Sequence, residues 1–186
     1  MIRIGIIIGS TRPGRRGVAV AQWAHTVAAE RGDADYELVD LADFDLPLLD
    51  EPLPPAMGQY THAHTRSWAH KIAAFDGYVF VTPEYNHSTS GALKNAIDFL
   101  FTEWANKAAG FISYGSSGGT RAVEHLRLIM GELQVADVRA QVSLGMTTDF
   151  VHFRDFAPQA HKEKALNTML DQLLAWSEAL RALRAA

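Results

Sequence analysis

Residues 2–17, IRIGIIIGSTRPGRRG, join a short apolar run to a loop that is rich in glycine and arginine. Residues 2–8 are almost continuously apolar and rich in isoleucine, which predicts a strand buried on both faces, as in a parallel sheet. An alanine-rich stretch follows to about Gly32, and the spacing of Val18, Ala21, His25 and Ala28 predicts a helix. The chain therefore opens as strand, loop and helix, the first unit of an α/β fold.

The same alternation continues along the rest of the chain. Four of the seven prolines lie between residues 41 and 60, so we expect a long ordered loop there and a second irregular stretch at 145–157. Further strands are predicted at 36–39, 78–82, 110–114 and 138–144, and helices at 61–75, 93–104, 120–133 and from near Pro158 onward. This order predicts one domain over residues 1–186, a flavodoxin-like three-layer α/β/α sandwich whose five-stranded parallel sheet has the order 2-1-3-4-5.

Composition narrows the class of protein. Apolar residues make up 48% of the chain and charged residues 20%, which is typical of a globular protein. Lys and Arg number 17 against 21 Asp and Glu, a net charge of −4, which argues against a nucleic-acid partner. The absence of cysteine excludes disulfides, thiolate nucleophiles and Cys-bound metal sites. No apolar run reaches the roughly 20 residues of a membrane span, and residues 1–10 are too short for a signal peptide, so we expect a cytoplasmic protein without a membrane partner.

Three loops dense in small and polar residues follow strands 1, 3 and 4 of the predicted sheet. They are GSTRPGRRG at 9–17, PEYNHSTSG at 83–91 and GSSGG at 115–119. In an open parallel sheet, ligands bind beyond the carboxyl ends of the strands, where the strand order reverses. Under the order 2-1-3-4-5 these three loops surround that point, so we expect a ligand among them.

The first loop has the chemistry of a phosphate site. It leads into a helix N-terminus, where backbone N–H groups favour an anion. The hydroxyls of Ser10 and Thr11 and the guanidinium groups of Arg12, Arg15 and Arg16 are the candidate ligands. Neither the P-loop motif nor G-x-G-x-x-G is present, so ATP chemistry and the usual dinucleotide fingerprint are unsupported. The alternative is a solvated turn with surface arginines.

The other two loops suit a flat ring. Pro83, Tyr85 and Asn86 combine rigidity, an aromatic face and an amide that both donates and accepts. The alternative is a helix-entry loop with Ser88 or Ser90 as its N-cap, and both interpretations are compatible. Residues 115–118 expose backbone N–H groups at another helix N-terminus, although small residues there also allow simple close packing.

Several other polar residues are weaker candidates. His62 and His64 are spaced i, i+2 and do not share a helix face, so no metal site is expected. His87 is interpreted as an exposed bystander. Glu84 and Asp98 are expected to be capped, paired or solvated, and the serines of GSSGG do not form the hydrolase motif G-x-S-x-G.

These motifs together resemble the NADPH-dependent FMN reductase family, which includes quinone, azo-dye and chromate reductases. The resemblance extends from residue 2 to about residue 145. The matching residues are Gly9, Ser10 and Arg12 after strand 1; Pro83, Glu84, Tyr85, Asn86, Ser88, Gly91, Leu93, Lys94, Asn95, Ala96 and Asp98 after strand 3; and Gly115, Ser116, Gly118 and Gly119 after strand 4.

The resemblance implies FMN bound non-covalently at the three loops. Ser10 and Arg12 would hold its phosphate, Pro83, Glu84, Tyr85 and Asn86 would lie along its ring system, and Gly115, Ser116, Ser117 and Gly118 would face the pyrimidine edge. The chain departs from the family at Arg15, where a serine is common, and at Gly17, where an asparagine is common. We therefore expect Arg15 to assist phosphate binding, with the individual contributions of Arg15, Arg16 and Gly17 left open.

The resemblance also implies an activity and an assembly. NADPH or NADH would pass hydride through flavin N5 to a small acceptor, such as a quinone, an azo or nitro compound, a metal ion or free flavin, with no side chain assigned a catalytic role. Family members are dimers or tetramers, and the predicted helix 93–104 is apolar on more than one face, typical of a buried helix or of a subunit interface. The alternatives are a non-enzymatic electron carrier like the flavodoxins, which a mild charge of −4 disfavours, and a flavin-free phosphate-binding module.

Overall fold

Five parallel strands form the central sheet in a computed structural model of the chain, which describes residues 1–184. Their order is β2-β1-β3-β4-β5, as predicted. The strands are β1 (Arg3–Ile8), β2 (Asp35–Asp40), β3 (Gly77–Pro83), β4 (Ala108–Gly115) and β5 (Ala136–Gly145). The helices are α1 (Gly17–Arg31), α2 (Ala63–Ala73), α3 (Gly91–Asp98), α4 (Thr120–Glu132) and α5 (His161–Arg184). No helix within the described part of the chain has the length and apolar character needed to cross a bilayer.

The apolar core lies on both faces of the sheet. Ile4, Ile6 and Ile8 of β1 pack against α1 and α5, whereas Ile7 faces the opposite layer with α2, α3 and α4. Alternate residues of a strand point to opposite faces, so a strand covered on both sides must be apolar throughout. This explains why residues 4–8 contain no polar side chain.

The register of the sheet brings the three predicted ligand loops together. The Gly9 N–H donates to the Val81 carbonyl at 2.8 Å, and the Glu84 N–H donates to the Tyr114 carbonyl at 3.0 Å. The chain therefore leaves β1, β3 and β4 side by side at one edge of the sheet.

Helix α3 is shorter than the predicted helix 93–104. Ser90 caps its start by accepting a hydrogen bond from the Leu93 N–H at 3.0 Å, and the helix ends at Asp98. Phe99 and Trp104 lie in turns that follow, yet both are fully buried in the chain's own core. Their helical spacing arises because turns, like helices, place every third or fourth residue inward. The buried alternative is therefore correct for these two residues.

The stretch predicted as irregular at 145–157 contains a small hairpin of β6 (Phe150–Val151) and β7 (Asp155–Phe156). Its loop is residues 152–154, in which His152 and Phe153 both have positive φ, 52° and 57°, and the Arg154 N–H closes the turn on the Val151 carbonyl at 3.0 Å. The buried Asp149 anchors the base by accepting hydrogen bonds from the Gly145 N–H at 2.8 Å and the Gln159 N–H at 3.2 Å. The last helix begins only at His161.

The long loop after β2 is fixed to the body of the protein by two side chains. The Asn95 amide donates to the Pro47 carbonyl at 2.6 Å and accepts from the Leu49 N–H at 3.0 Å. Glu51 accepts from the backbone N–H groups that precede α2. Leu48, between the two backbone groups held by Asn95, is 84% exposed.

Candidate functional site

A cavity of about 400 Å³ opens at the carboxyl edge of the sheet, in the size range of small-molecule sites. All three predicted loops contribute to its wall. The lining residues are Arg12, Pro13, Gly14, Arg15, Arg16, Pro83, Glu84, Tyr85, Tyr114, Gly115, Ser116 and Met146.

Neither the first loop nor the first turn of α1 supplies a group that offsets the positive end of the helix dipole. Its N-cap residue, Arg16, makes no side-chain capping bond, and the first turn contains no acidic residue. The helix dipole therefore adds positive potential at the cavity.

The three arginines of this loop have different environments. Arg15 is mostly buried and forms an ion pair with Asp40 at the end of β2. Arg16 turns outward, and its Nε donates to the Phe153 carbonyl of the hairpin at 3.4 Å. Arg12 is exposed at the cavity mouth. Because the charge of Arg15 is offset by Asp40, Arg12 is the cation best placed to attract an anion.

Three hydroxyl groups lie behind the loop. Ser10 Oγ is 3.0 Å from Tyr85 Oη, and Ser10 is almost fully buried. The third hydroxyl, on Tyr114 near the end of β4, lies beside Ser10 and the Gly17 N–H, but its own hydrogen has no acceptor within residues 1–184. Burial, together with the neighbouring Tyr85, raises the pKa of Tyr114, so its phenol stays protonated and is available as a donor.

The second loop reverses direction in two residues. Asn86 and His87 have φ values of 48° and 72°, and Tyr85 and Ser88 exchange backbone hydrogen bonds of 2.9 and 3.1 Å. This type I′ geometry fixes Tyr85 in the cavity wall and leaves Asn86 at the exposed tip. His87 is exposed, as predicted.

The Glu84 carboxylate connects the second loop to the third. Its side chain is only 5% exposed, pairs with Arg121 in the first turn of α4 and accepts the Arg121 N–H at 3.2 Å. The carboxylate is therefore occupied by α4 rather than free for proton transfer. The other acidic candidate, Asp98, pairs with Lys94 at 2.6 Å, as expected.

The third loop depends on two glycines in the left-handed region. Gly118 and Gly119 have φ values of 70° and 74°. The Gly118 N–H donates to the Gly115 carbonyl at 3.0 Å, so the turn itself uses it. The N–H groups of Ser116 and Ser117 have no backbone acceptor within residues 1–184 and could donate to a ligand at this loop.

Not every predicted site residue faces the same space. Thr11 lines a separate cavity of about 370 Å³ beside Leu41 and Asn95, on the other side of the loop. Tyr114 and Met146 also line the main cavity, although neither belongs to the three loop motifs in the sequence. Tyr114 directly precedes GSSGG, and this position next to a predicted ligand loop could have identified it as a candidate from the sequence.

His62 and His64 come together although they do not share a helix face. His62 precedes α2, its ring stacks on that of His64 at 5.1 Å, and His64 Nε2 lies 3.0 Å from Asp50 Oδ1. Across residues 1–184, no group of three or more His, Cys, Asp or Glu side chains has the arrangement of a metal site.

Comparisons with known proteins find relatives over most of the chain. The family model described as NADPH-dependent FMN reductase matches residues 2–149. The chain is 41% identical over 159 residues to the NAD(P)H-dependent FMN reductase ntnL of Nectria sp, covering 80% of this chain and 79% of that protein. It is 34% identical over 182 residues to the NAD(P)H-dependent FMN reductase LOT6 of Saccharomyces cerevisiae, covering 90% and 95%.

Further relatives and solved structures agree with this match. The chain is 35% identical over 136 residues to the quinone reductase of Escherichia coli, covering 69% of each protein. Among solved structures, the flavoenzyme FerB of Paracoccus denitrificans superposes with a TM-score of 0.71 at 20% identity, covering 96% of this chain and 98% of that one. This structural likeness supports the flavodoxin-like fold.

Proposed function

The chain belongs to the NADPH-dependent FMN reductase family, and we propose from its site that it is an NAD(P)H-dependent flavin oxidoreductase with FMN in the cavity formed by β1, β3 and β4. The single observation that supports this most strongly is the convergence of the three loops on one cavity. Relatives named FMN reductase, quinone reductase and azoreductase support the same reaction class.

The residues present fit FMN. A phosphate needs several hydrogen-bond donors, and the first loop supplies a helix N-terminus and the guanidinium of Arg12. A planar ring needs a flat wall and a polar edge. Tyr85 and the Ser116 N–H in the cavity wall, with the adjacent Ser117 N–H, are suited to these two needs. When bound, FMN accepts hydride from NAD(P)H and delivers electrons to the acceptor.

The chain's own part is to bind, orient and stabilise charge. Ser10 and Arg12 would hold the phosphate with Arg15 assisting, and residues 83–86 would support the ring, partly through backbone groups. The Ser116 and Ser117 N–H groups would stabilise negative charge at the pyrimidine edge. A helix terminus contributes about 0.3–2 kcal/mol to such charge. No side chain is assigned a proton-transfer role.

The substrates follow from the same site. NADPH or NADH is the proposed reductant, and a small molecule, such as a quinone or an azo compound, is the proposed acceptor. The names of relatives that reduce 2-hydroxy-1,4-benzoquinone or azo dyes support this acceptor class. We also propose a cytoplasmic location, since a chain without cysteine needs no oxidising compartment.

The test is a spectrum of the purified protein, followed by anaerobic addition of NADPH and then a quinone. We expect a flavin spectrum that bleaches with NADPH and returns with the quinone, repeatedly. A protein that binds FMN but does not oxidise NADPH would be an electron carrier instead. A colourless protein that refuses added FMN would contradict the proposal altogether.

The protein is further proposed to be a homo-oligomer, a dimer or tetramer, through the face that contains α3. Two cavities of about 460 and 580 Å³ share Lys94, Leu128 and Ile129 and form a continuous apolar groove between α3 and α4. Leu128 in this groove is 78% exposed. Such a patch is unusual on a monomer, and its position beside residues 88–91 connects it to the second loop. Since Phe99 and Trp104 are buried internally, the proposed contact uses the groove and not the whole stretch 93–104.

A further inference from the structure

Two buried donor atoms at the cavity have no acceptor within residues 1–184. They are Tyr114 Oη and Arg15 Nε, and Tyr114 as a residue is only 5% exposed. Native proteins pair the great majority of such atoms, because an unpaired buried donor forfeits its hydration without compensation. Both residues line the same cavity. An acceptor-rich ligand group in this cavity would supply what both atoms lack.

The position of the Tyr114 hydroxyl is defined by Gly17. A Cβ atom on Gly17 would lie 2.9 Å from Tyr114 Oη, closer than real Cβ contacts allow. Gly17 is the first residue of α1, where the backbone N–H groups of the first turn have no partner inside the helix. The hydroxyl of β4 thus reaches across to the N-terminus of α1, and the missing side chain at residue 17 makes room for it.

Each of these groups can donate a hydrogen bond into the cavity. Arg15 Nε is a donor only, the helix N-terminus presents N–H groups, and the neutral phenol of Tyr114 has a hydrogen to donate. Arg15 is held in place by Asp40, which offsets its charge and fixes its direction. A ligand group that satisfies several convergent donors must be rich in acceptors, and a phosphate monoester meets that requirement.

We propose that the Tyr114 hydroxyl, together with Arg15 Nε, donates to the phosphate of FMN, and that Gly17 is required because this hydroxyl occupies the space of its side chain. The inference rests on the proposed function, because it assigns the phosphate to FMN. It adds a ligand from β4 to a phosphate site that the sequence placed entirely in the first loop.

The test compares FMN with riboflavin, which lacks the phosphate, on the apoprotein and on Tyr114→Phe. We expect the FMN dissociation constant to rise about tenfold in the variant, the riboflavin constant to stay within about twofold, and the melting temperature of the apoprotein not to fall. Equal weakening of both ligands, or of neither, would overturn the inference. A wild-type protein that binds neither ligand would instead contradict the proposed function.

A double-mutant cycle with Gly17→Ala removes dependence on a single variant. In the wild-type background, the alanine Cβ displaces the hydroxyl and FMN affinity falls. In the Tyr114→Phe background, the same substitution meets no hydroxyl, so the additional loss is expected to be less than about twofold. Strictly additive losses would show that residues 17 and 114 act independently and would overturn the coupling.

Inorganic phosphate, added alone, is expected to raise the melting temperature of the wild type more than that of Tyr114→Phe. An equal rise in the two proteins would place the hydroxyl away from the phosphate.

Discussion

Gly118 shows how a single residue fixes the third loop. Its φ of 70° strains any side chain, and a Cβ atom would collide with Ser143 Oγ. We predict that Gly118→Ala lowers the free energy of unfolding by about 1–3 kcal/mol. Gly131→Ala is the matched control, since a Cβ there meets nothing within 4 Å and alanine favours a helix interior by roughly 0.5–1 kcal/mol. Urea denaturation measures both changes, and two shifts of the same sign would contradict the prediction.

A substitution of Arg12 tests whether the positive charge of the first loop binds the FMN phosphate. It is exposed at the cavity mouth, whereas the charge of Arg15 is offset by Asp40. We predict that Arg12→Ala raises the FMN dissociation constant about ten- to a hundredfold, the usual loss for a hydrogen bond to a charged group. Flavin fluorescence quenching measures this, with Arg154→Ala on the exposed hairpin as control. Unchanged FMN affinity in Arg12→Ala and in the double variant with Arg15→Ala would rule out the phosphate assignment.

At the scale of elements, the Glu51 carboxylate links the long loop to the residues that precede α2 through hydrogen bonds. Burial raises its pKa, but the nearby Thr65 hydroxyl and the hydrogen bonds from Thr61 and the His62 N–H together outweigh burial and lower the pKa to about 2. The folded pKa lies below the unfolded value of about 4.3, so the carboxylate stabilises the fold above that value, and this stability is lost as the pH falls from about 5 to 2.

We therefore predict that Glu51→Gln is less stable than the wild type near neutral pH and that the difference shrinks toward about pH 2. Urea titrations at a series of pH values provide the measurement. The exposed Glu124, replaced by glutamine, is the control that should show no such convergence. A difference that is constant with pH would mean that Glu51 does not act through its charge.

The sequence predicts elements where their pattern is long and regular, and fails where it is short. All five strands of the sheet are long enough for a recognisable apolar run. The hairpin strands β6 and β7 have two residues each, which is too short for any period. The end of α3 was also missed, because Phe99 and Trp104 preserve helical spacing while lying in turns.

For the candidate site, the sequence predicts the position of the loops but not the contacts between them. The three loops could be located because each follows a strand and precedes a helix. The pairing of Glu84 with Arg121, and the contact between Tyr114 and Gly17, depend on how the elements pack. Residues far apart in the chain make these contacts, so no local pattern encodes them.

At the scale of the whole molecule, the groove between α3 and α4 tests the proposed assembly. Leu128→Asp places a charge in the apolar surface at a position that is 78% exposed, so the fold itself should be retained. We predict that light scattering coupled to size-exclusion chromatography shows a loss of the oligomer at equal concentration. Leu183→Asp, also exposed but at the end of α5, is the control. A monomeric wild type, or an oligomer that tolerates the substitution, would contradict the proposal.

Lys107 gives the molecule a distinct pH dependence. It is buried at the amino end of β4, and its Nζ donates to the Ile72 carbonyl at 3.0 Å and to Tyr78 Oη at 2.9 Å. Burial and then the nearby Arg184 lower its pKa to about 8. Between about pH 8 and 10.4 the unfolded chain binds more protons than the folded one, so this residue makes stability rise with pH.

We predict that the stability of the wild type relative to Lys107→Met increases as the pH is raised through this range. Denaturant titrations at matched pH values measure the difference between the two proteins, which cancels the other titrating groups. Parallel pH profiles would show that Lys107 keeps an ordinary pKa in the fold.

Asn95 holds the loop after β2 by hydrogen bonds that place no requirement on the side chain of residue 48. Both of its hydrogen bonds go to backbone groups, of residues 47 and 49, so neither bond depends on the identity of the side chain between them. Substitutions of Leu48 should therefore leave the position of the loop unchanged. Saturation mutagenesis of this exposed position should yield folded variants almost without exception.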